Sequence, residues 1–128
     1  MSARIGWFAV LILSTLAHAD TTWLSDHGHY RVSFTSDLDP IVINRMHHWQ
    51  LEITDREGNA VSGAMVSVDG GMPAHDHGLP TRPQVVAGSD PGRYRLEGLR
   101  FHMGGRWEVE LTIEVGGMRD IAIITLDL

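Results

Sequence analysis

Residues 106–115 read RWEVELTIEV: Trp107, Val109, Leu111, Ile113 and Val115 alternate without a break with Arg106, Glu108, Glu110, Thr112 and Glu114. A period of two held this long puts every apolar side chain on one face of an extended strand and every polar one on the other. A chain made of such segments must cover the dry face of each with another sheet. The pattern recurs in HWQLEI with Trp49, Leu51 and Ile53, in AMVSVDG with Ala64, Val66 and Val68, and in YRVSF with Val32 and Phe34. RYRLEGLRF starts with Tyr94 and Leu96 inward and changes parity at Gly98 to Leu99 and Phe101, which predicts a bulge. QVV is short, and IAIITLDL is apolar on both faces and reads as a well-covered strand. Turn formers at 55–60, 88–92 and 115–117 separate the runs, 37–44 with Pro40 reads as a loop, and no segment carries a helical period. About seven short strands at this spacing predict an all-β, immunoglobulin-like antiparallel β-sandwich.

The chain opens on MSAR, follows with the apolar run IGWFAVLILSTLA and then AHA, the pattern of a signal peptide. The run is shorter than the roughly 20 residues a membrane span needs. The expectation is a leader over 1–19 and one β-sandwich domain over 20–128, exported to the periplasm or secreted, with no membrane insertion after cleavage. A cut after Ala17 instead would leave His18 at the N-terminus. The formal net charge is −6, and all 10 basic residues are Arg. An acidic domain without a basic stripe excludes nucleic acid as a natural partner and does not suit anionic lipid. There is no Cys, so no disulfide holds the fold and no thiolate can bind a metal, whereas there are 8 His and 6 Met.

Histidine and methionine concentrate in GGMPAHDHGLP at 70–80, a stretch that contributes little to a core. Connections between consecutive antiparallel strands alternate between the two ends of a sandwich. The loops at 37–45, 70–80 and 102–105 should therefore share one end, and those at 55–60, 88–92 and 116–117 the other. A turn centred near 57 sets His47 opposite about residue 68, and one near 90 sets His102 opposite about residue 78. His75 and His77, two apart, point the same way on extended backbone, about 6–7 Å apart. His47 shares the parity of Trp49 and faces inward; His48 faces out. The candidate ligands are therefore Met72, His75, His77, His102, Met103 and His47. Imidazole with thioether and no thiolate points to copper; zinc is the alternative, with Asp76 as a further ligand. His27 and His29 fall at the opposite end and outside this set. Met46, Met65 and Met118 read as packing residues, and Trp49 and Trp107 as core. Glu108 and Glu110 lie on the wet face of a strand, and no serine has a nucleophile-elbow context, so no catalysis is expected.

In order along the chain, the Met-Pro-x-His-x-His loop at 72–77, Gly92-x-Tyr94, and Phe101-x-Met103-x-Gly105-x-Trp107 resemble the YtkA-like domain family, related to FixH-type proteins. The resemblance implies a small exported β-sandwich of the bacterial cell envelope, with relatives associated with copper handling or haem-copper oxidase assembly. FixH-type proteins keep a membrane helix, which this chain lacks if its leader is removed. Two functions follow as expectations. One is a periplasmic copper-binding protein for storage, delivery or homeostasis. The other is a metal-independent accessory module that binds an envelope protein partner through the same loops.

Overall fold

The computed structural model describes residues 21–128; the leader expected over 1–19 lies outside the described residues. Nine strands follow in order: β1 (Trp23–Leu24), β2 (Tyr30–Ser36), β3 (His47–Asp55), β4 (Met65–Met72), β5 (His77–Gly78), β6 (Gln84–Ala87), β7 (Arg93–Leu99), β8 (Arg106–Val115) and β9 (Met118–Asp127). They form two antiparallel sheets, β1-β2-β3-β7-β6 and β5-β4-β8-β9. This is the β-sandwich that the alternation predicts, with two two-residue strands, β1 and β5, added to the expected seven. Among the described residues no helix is long and apolar enough to cross a membrane.

The core lies where the dry faces meet. Val32, Trp49, Leu51, Ile53, Tyr94 and Leu96 from one sheet pack with Val109, Leu111, Ile113, Ala122 and Ile124 from the other, all buried. Phe101 bridges the two core tryptophans, its ring centre 6.4 Å from that of Trp49 and 5.2 Å from that of Trp107. Each Val, Leu, Ile or Phe side chain withdrawn from water contributes about 1.5–3 kcal/mol. The Tyr94 hydroxyl donates to the Val61 carbonyl at 2.7 Å and accepts from the Ala64 amide at 3.1 Å, which anchors the segment that carries the chain from one sheet to the other.

The parity change at Gly98 is a bulge: His47 pairs with Leu99 while Trp49 pairs with Leu96, and Gly98 has φ +82. Three expectations need correction. β3 and β4 are not a hairpin; β3 pairs with β2 and β7, so His47 sits opposite Leu99 rather than near residue 68. The connection at 56–64 crosses between sheets, which sequence spacing alone does not distinguish from a turn. Second, β9 is fully covered on one face only: Asp120, Ala122 and Ile124 are buried, whereas Ile121 and Ile123 on the other face are half-buried and Thr125 is exposed. Third, Met46, Met65 and Met118 are 57%, 78% and 46% exposed and do not pack in the core. Met65 falls on the outward parity of β4, with Ser67 and Asp69, and Met118 flanks the Gly116–Gly117 turn.

Candidate metal centre

Strand direction gathers the 37–46 loop, the β4–β5 turn and the β7–β8 connection at one end of the sandwich, termed the upper end. The β4–β5 turn is built by local rules. The His75 amide donates to the Met72 carbonyl at 3.1 Å, and Asp76 at φ +52 turns the chain back so that His77 pairs with Met72. Gly71 is required because a Cβ there would collide with the His77 backbone carbonyl. On the other connection, the Trp107 indole donates to the Met103 carbonyl at 2.9 Å, and Gly105 and Leu128 exchange two backbone bonds. These contacts fix the turn that follows His102.

Three imidazoles from these two connections stand in a row. The ring centres of His75 and His77 are 6.3 Å apart, and those of His77 and His102 are 5.9 Å apart. His102 rests edge-on against Trp107 at 5.4 Å. Two imidazoles bound to one ion at about 2.0 Å have ring centres about 5 Å apart in tetrahedral geometry. The row is thus slightly open, and among the described residues no three His, Cys, Asp or Glu side chains are already set to hold one ion. His75 and His77 are exposed and His102 is half-buried, so side-chain rotation at the surface is enough to close the first pair.

The other candidates stand differently. Met103 is 36% exposed and follows His102 directly. Met72 is a core residue, 1% exposed, its methyl group against Gly105, because it lies on the inward face at the end of β4. It does not fold back into the loop as expected from the preceding glycines. His47 is also buried, at 2% exposure, with its ring against Phe101 and Trp49. Its Nδ1 donates to the Arg45 carbonyl at 3.0 Å, which leaves Nε2 as a bare acceptor with no partner among the described residues. His102 Nδ1 is likewise buried without a partner. His48 is half-buried, and its amide donates to Asp37, holding that carboxyl below its ordinary pKa.

Sequence reasoning missed an acidic groove beside His77. Its floor is Gly70, Gly71 and Gly78, and its walls carry Asp69, Asp76, Glu108 and Glu110. Asp69 pairs with Glu110 and Gly71 with Glu108 across β4 and β8, so the carboxylates of Asp69, Glu108 and Glu110 gather on the outer face. A cation approaching His77 crosses this negative lining, which raises its local concentration. The signal was present in the outward parity of Glu108 and Glu110, but the opposing strand was not known.

Gly71→Ala tests the local construction. It is expected to cost about 1–3 kcal/mol, as overpacking does, and to part β5 from β4. Thermal unfolding together with weakened nuclear Overhauser contacts between the His77 and His102 rings would reveal it.

The lower end holds a second feature missed from sequence. Asp120 is buried in β9 and accepts hydrogen bonds from the Ser25 hydroxyl at 2.6 Å, His27 Nδ1 at 3.0 Å, the His27 amide at 3.0 Å, the His29 amide at 3.2 Å and its neighbour Ile121 at 2.9 Å. Burial alone would raise its pKa; the bonds from Ser25, His27 and the backbone outweigh it and hold the carboxyl far below the ordinary range.

No curated protein matches the chain. Among solved structures it is similar to one described as ZirS C-terminal Domain, at 14% identity and TM-score 0.45, covering 100% of this chain and 88% of that one. The model of the family described as YtkA-like matches residues 25–112, a span that includes the Met72–His77 loop, His102 and Trp107, and the chain belongs to the YtkA-like family.

Proposed function

We propose that the protein binds copper at the upper end, between His75, His77 and His102, and stores, buffers or delivers the ion in the cell envelope. The observation that carries this reading is the row of three imidazoles from two separated connections, at 6.3 and 5.9 Å, beside an acidic trough. Met103 supplies a thioether next to His102, and the absence of Cys leaves imidazole and thioether as the soft donors. That donor set favours copper, Cu(I) through sulfur and either oxidation state through imidazole; zinc remains the second choice. An exposed, slightly open site suits exchange of an ion more than permanent retention. The reading is of a binding protein and not of an enzyme. The leader-like N-terminus supports a periplasmic or secreted location.

A second reading has its own observation. Val42, Ile43 and Met46 are exposed at the same end as Met103, and Ile43 lies against Gly104 in the turn after His102. An apolar rim of this kind fits a metal-independent accessory module that docks an envelope protein.

Copper and zinc titration of the purified protein separates the two, with Trp107 fluorescence as the reporter because its ring lies 5.4 Å from that of His102. One ion should bind at the upper end, and His75→Ala/His77→Ala should lower that affinity by about 100-fold or more, the loss of two ligands exceeding the 10–100-fold typical of a single outer-sphere contact. Unchanged binding in the double variant would remove the metal reading and leave the docking module.

A further inference from the structure

We propose that the lower end carries a second, separate metal site, in which His27 and His29 hold a divalent cation of borderline softness such as Cu2+ or Zn2+. Water fills the remaining positions. The inference does not depend on the upper-end reading, since the two sites share no residue.

The His27-Gly28-His29 segment is clamped from two sides. Asp120 takes the amides of His27 and His29, and the Arg56 guanidinium donates to the carbonyls of His27 at 2.7 Å and of Gly28 at 2.8 Å. Gly28 at φ +72 adopts a left-handed conformation that favours glycine. The result is two imidazoles on one side of the chain, stacked at 6.2 Å and 25° between planes, a separation close to that of His75 and His77.

The clamp also sets the chemistry of His27. An ionised carboxylate only accepts, so Nδ1 carries the proton that bonds to Asp120, and Nε2 is left as the free donor atom. A ligating histidine commonly bonds through its other nitrogen to a carboxylate, which fixes the ring and raises its basicity. Here the carboxylate is 1% exposed while the His27 side chain is 77% exposed, so the orienting group is dry and the presented nitrogen is wet. Arg56 adds a positive charge nearby and Asp120 a negative one, and the exposed Asp26 precedes His27. A purely structural pin would need the amides of His27 and His29 and Nδ1 of His27, but neither Nε2 of His27 nor the His29 ring.

The test uses the purified protein with His75, His77 and His102 all changed to Ala, titrated with Zn2+ and with Cu2+ while the imidazole nitrogens are followed by NMR. Zinc is expected to shift His27 Nε2 and His29 together at one equivalent. Adding His27→Gln/His29→Gln should abolish the shift and the accompanying rise in Tm. Asp120→Asn should weaken binding by about 10–100-fold, the range for an outer-sphere carboxylate. Circular dichroism confirms folding of the glutamine variant, in which Asp120 keeps Ser25 and the backbone amides. No saturable binding in the upper-end variant, or equal binding after the glutamine changes, would overturn the lower site. Neither outcome bears on copper at the upper end, which is read with His27 and His29 replaced and the upper histidines intact.

Discussion

Asp120→Ala is expected to lower the free energy of unfolding by about 3–5 kcal/mol, measured as a fall in the denaturant midpoint at unchanged slope. The carboxylate accepts from the Ser25 hydroxyl and from the amides of His27 and His29, and it joins β9 to the segment between β1 and β2 across the two sheets. Truncation leaves those donors in a dry site, each at about 1–3 kcal/mol if nothing replaces the acceptor. Domains of this size have a net stability of about 5–15 kcal/mol, so the loss is a large fraction of the whole. The Tyr30 amide, which donates to Ser25 Oγ at 2.9 Å, belongs to the same network and should show faster hydrogen exchange in the variant. A loss under about 1 kcal/mol would mean that the lower end rearranges freely around the missing group.

The same carboxylate makes acid stability a readout. Its folded-state pKa lies far below the usual carboxylate range, through the bonds from Ser25, His27 and the backbone that outweigh burial. Between that value and about 3.9 the unfolded chain binds a proton that the folded chain does not. Stability from this group is therefore full above about pH 4 and is lost as pH falls through the folded value. Asp120→Asn should start lower at pH 7 and show a shallower decline in acid. A parallel decline in variant and wild type would assign the acid sensitivity to other carboxylates, of which Asp37 and Asp55 are also held low by backbone amides.

What sequence could convey here was the local period, and what it could not convey was the sheet to which each strand goes. Trp107 to Val115 carries one period from end to end, and the strand is there in register with β4 and β9. The bulge at Gly98 was equally legible, since a parity change within a strand demands an extra residue. The row of His75, His77 and His102 followed from alternating connections and from the hairpin about residue 90, which is there as β6 and β7, whereas the hairpin about residue 57 that placed His47 near residue 68 is not. His77 belongs to the sheet of β4, and His102 lies on the crossing between sheets. Met72 differs because the two glycines before it, which read as loop in the sequence, are strand residues, Gly70 kept bare by the Glu108 carbonyl of β8 and Gly71 by the His77 carbonyl of β5. Asp120 was invisible: a charge within an apolar strand is normally an outward residue, and only the fold shows that Ser25 and His27 come to meet it.

Trp107→Ala is expected to cost about 3–5 kcal/mol, the usual range for emptying a core indole, and to weaken the copper binding proposed for the upper end by about tenfold or more. Trp107 is fully buried, packs on Phe101 at 5.2 Å, and pairs with Leu126 across β8 and β9. Its outer edge is the wall against which His102 rests, and its indole nitrogen holds the Met103 carbonyl. One residue thus couples the core to the turn that presents His102 and Met103. Trp107→Phe separates the two roles. It keeps an aromatic wall but loses the bond to Met103, a change worth about 0.5–1.5 kcal/mol, so stability should fall modestly and His102 should keep its place. In both variants Trp107 no longer reports, so affinity is read by competition with a chromogenic chelator. If Trp107→Ala destabilises the fold as expected yet binds copper as tightly as wild type, then His102 does not need this wall, and the ion is held by His75 and His77 without it.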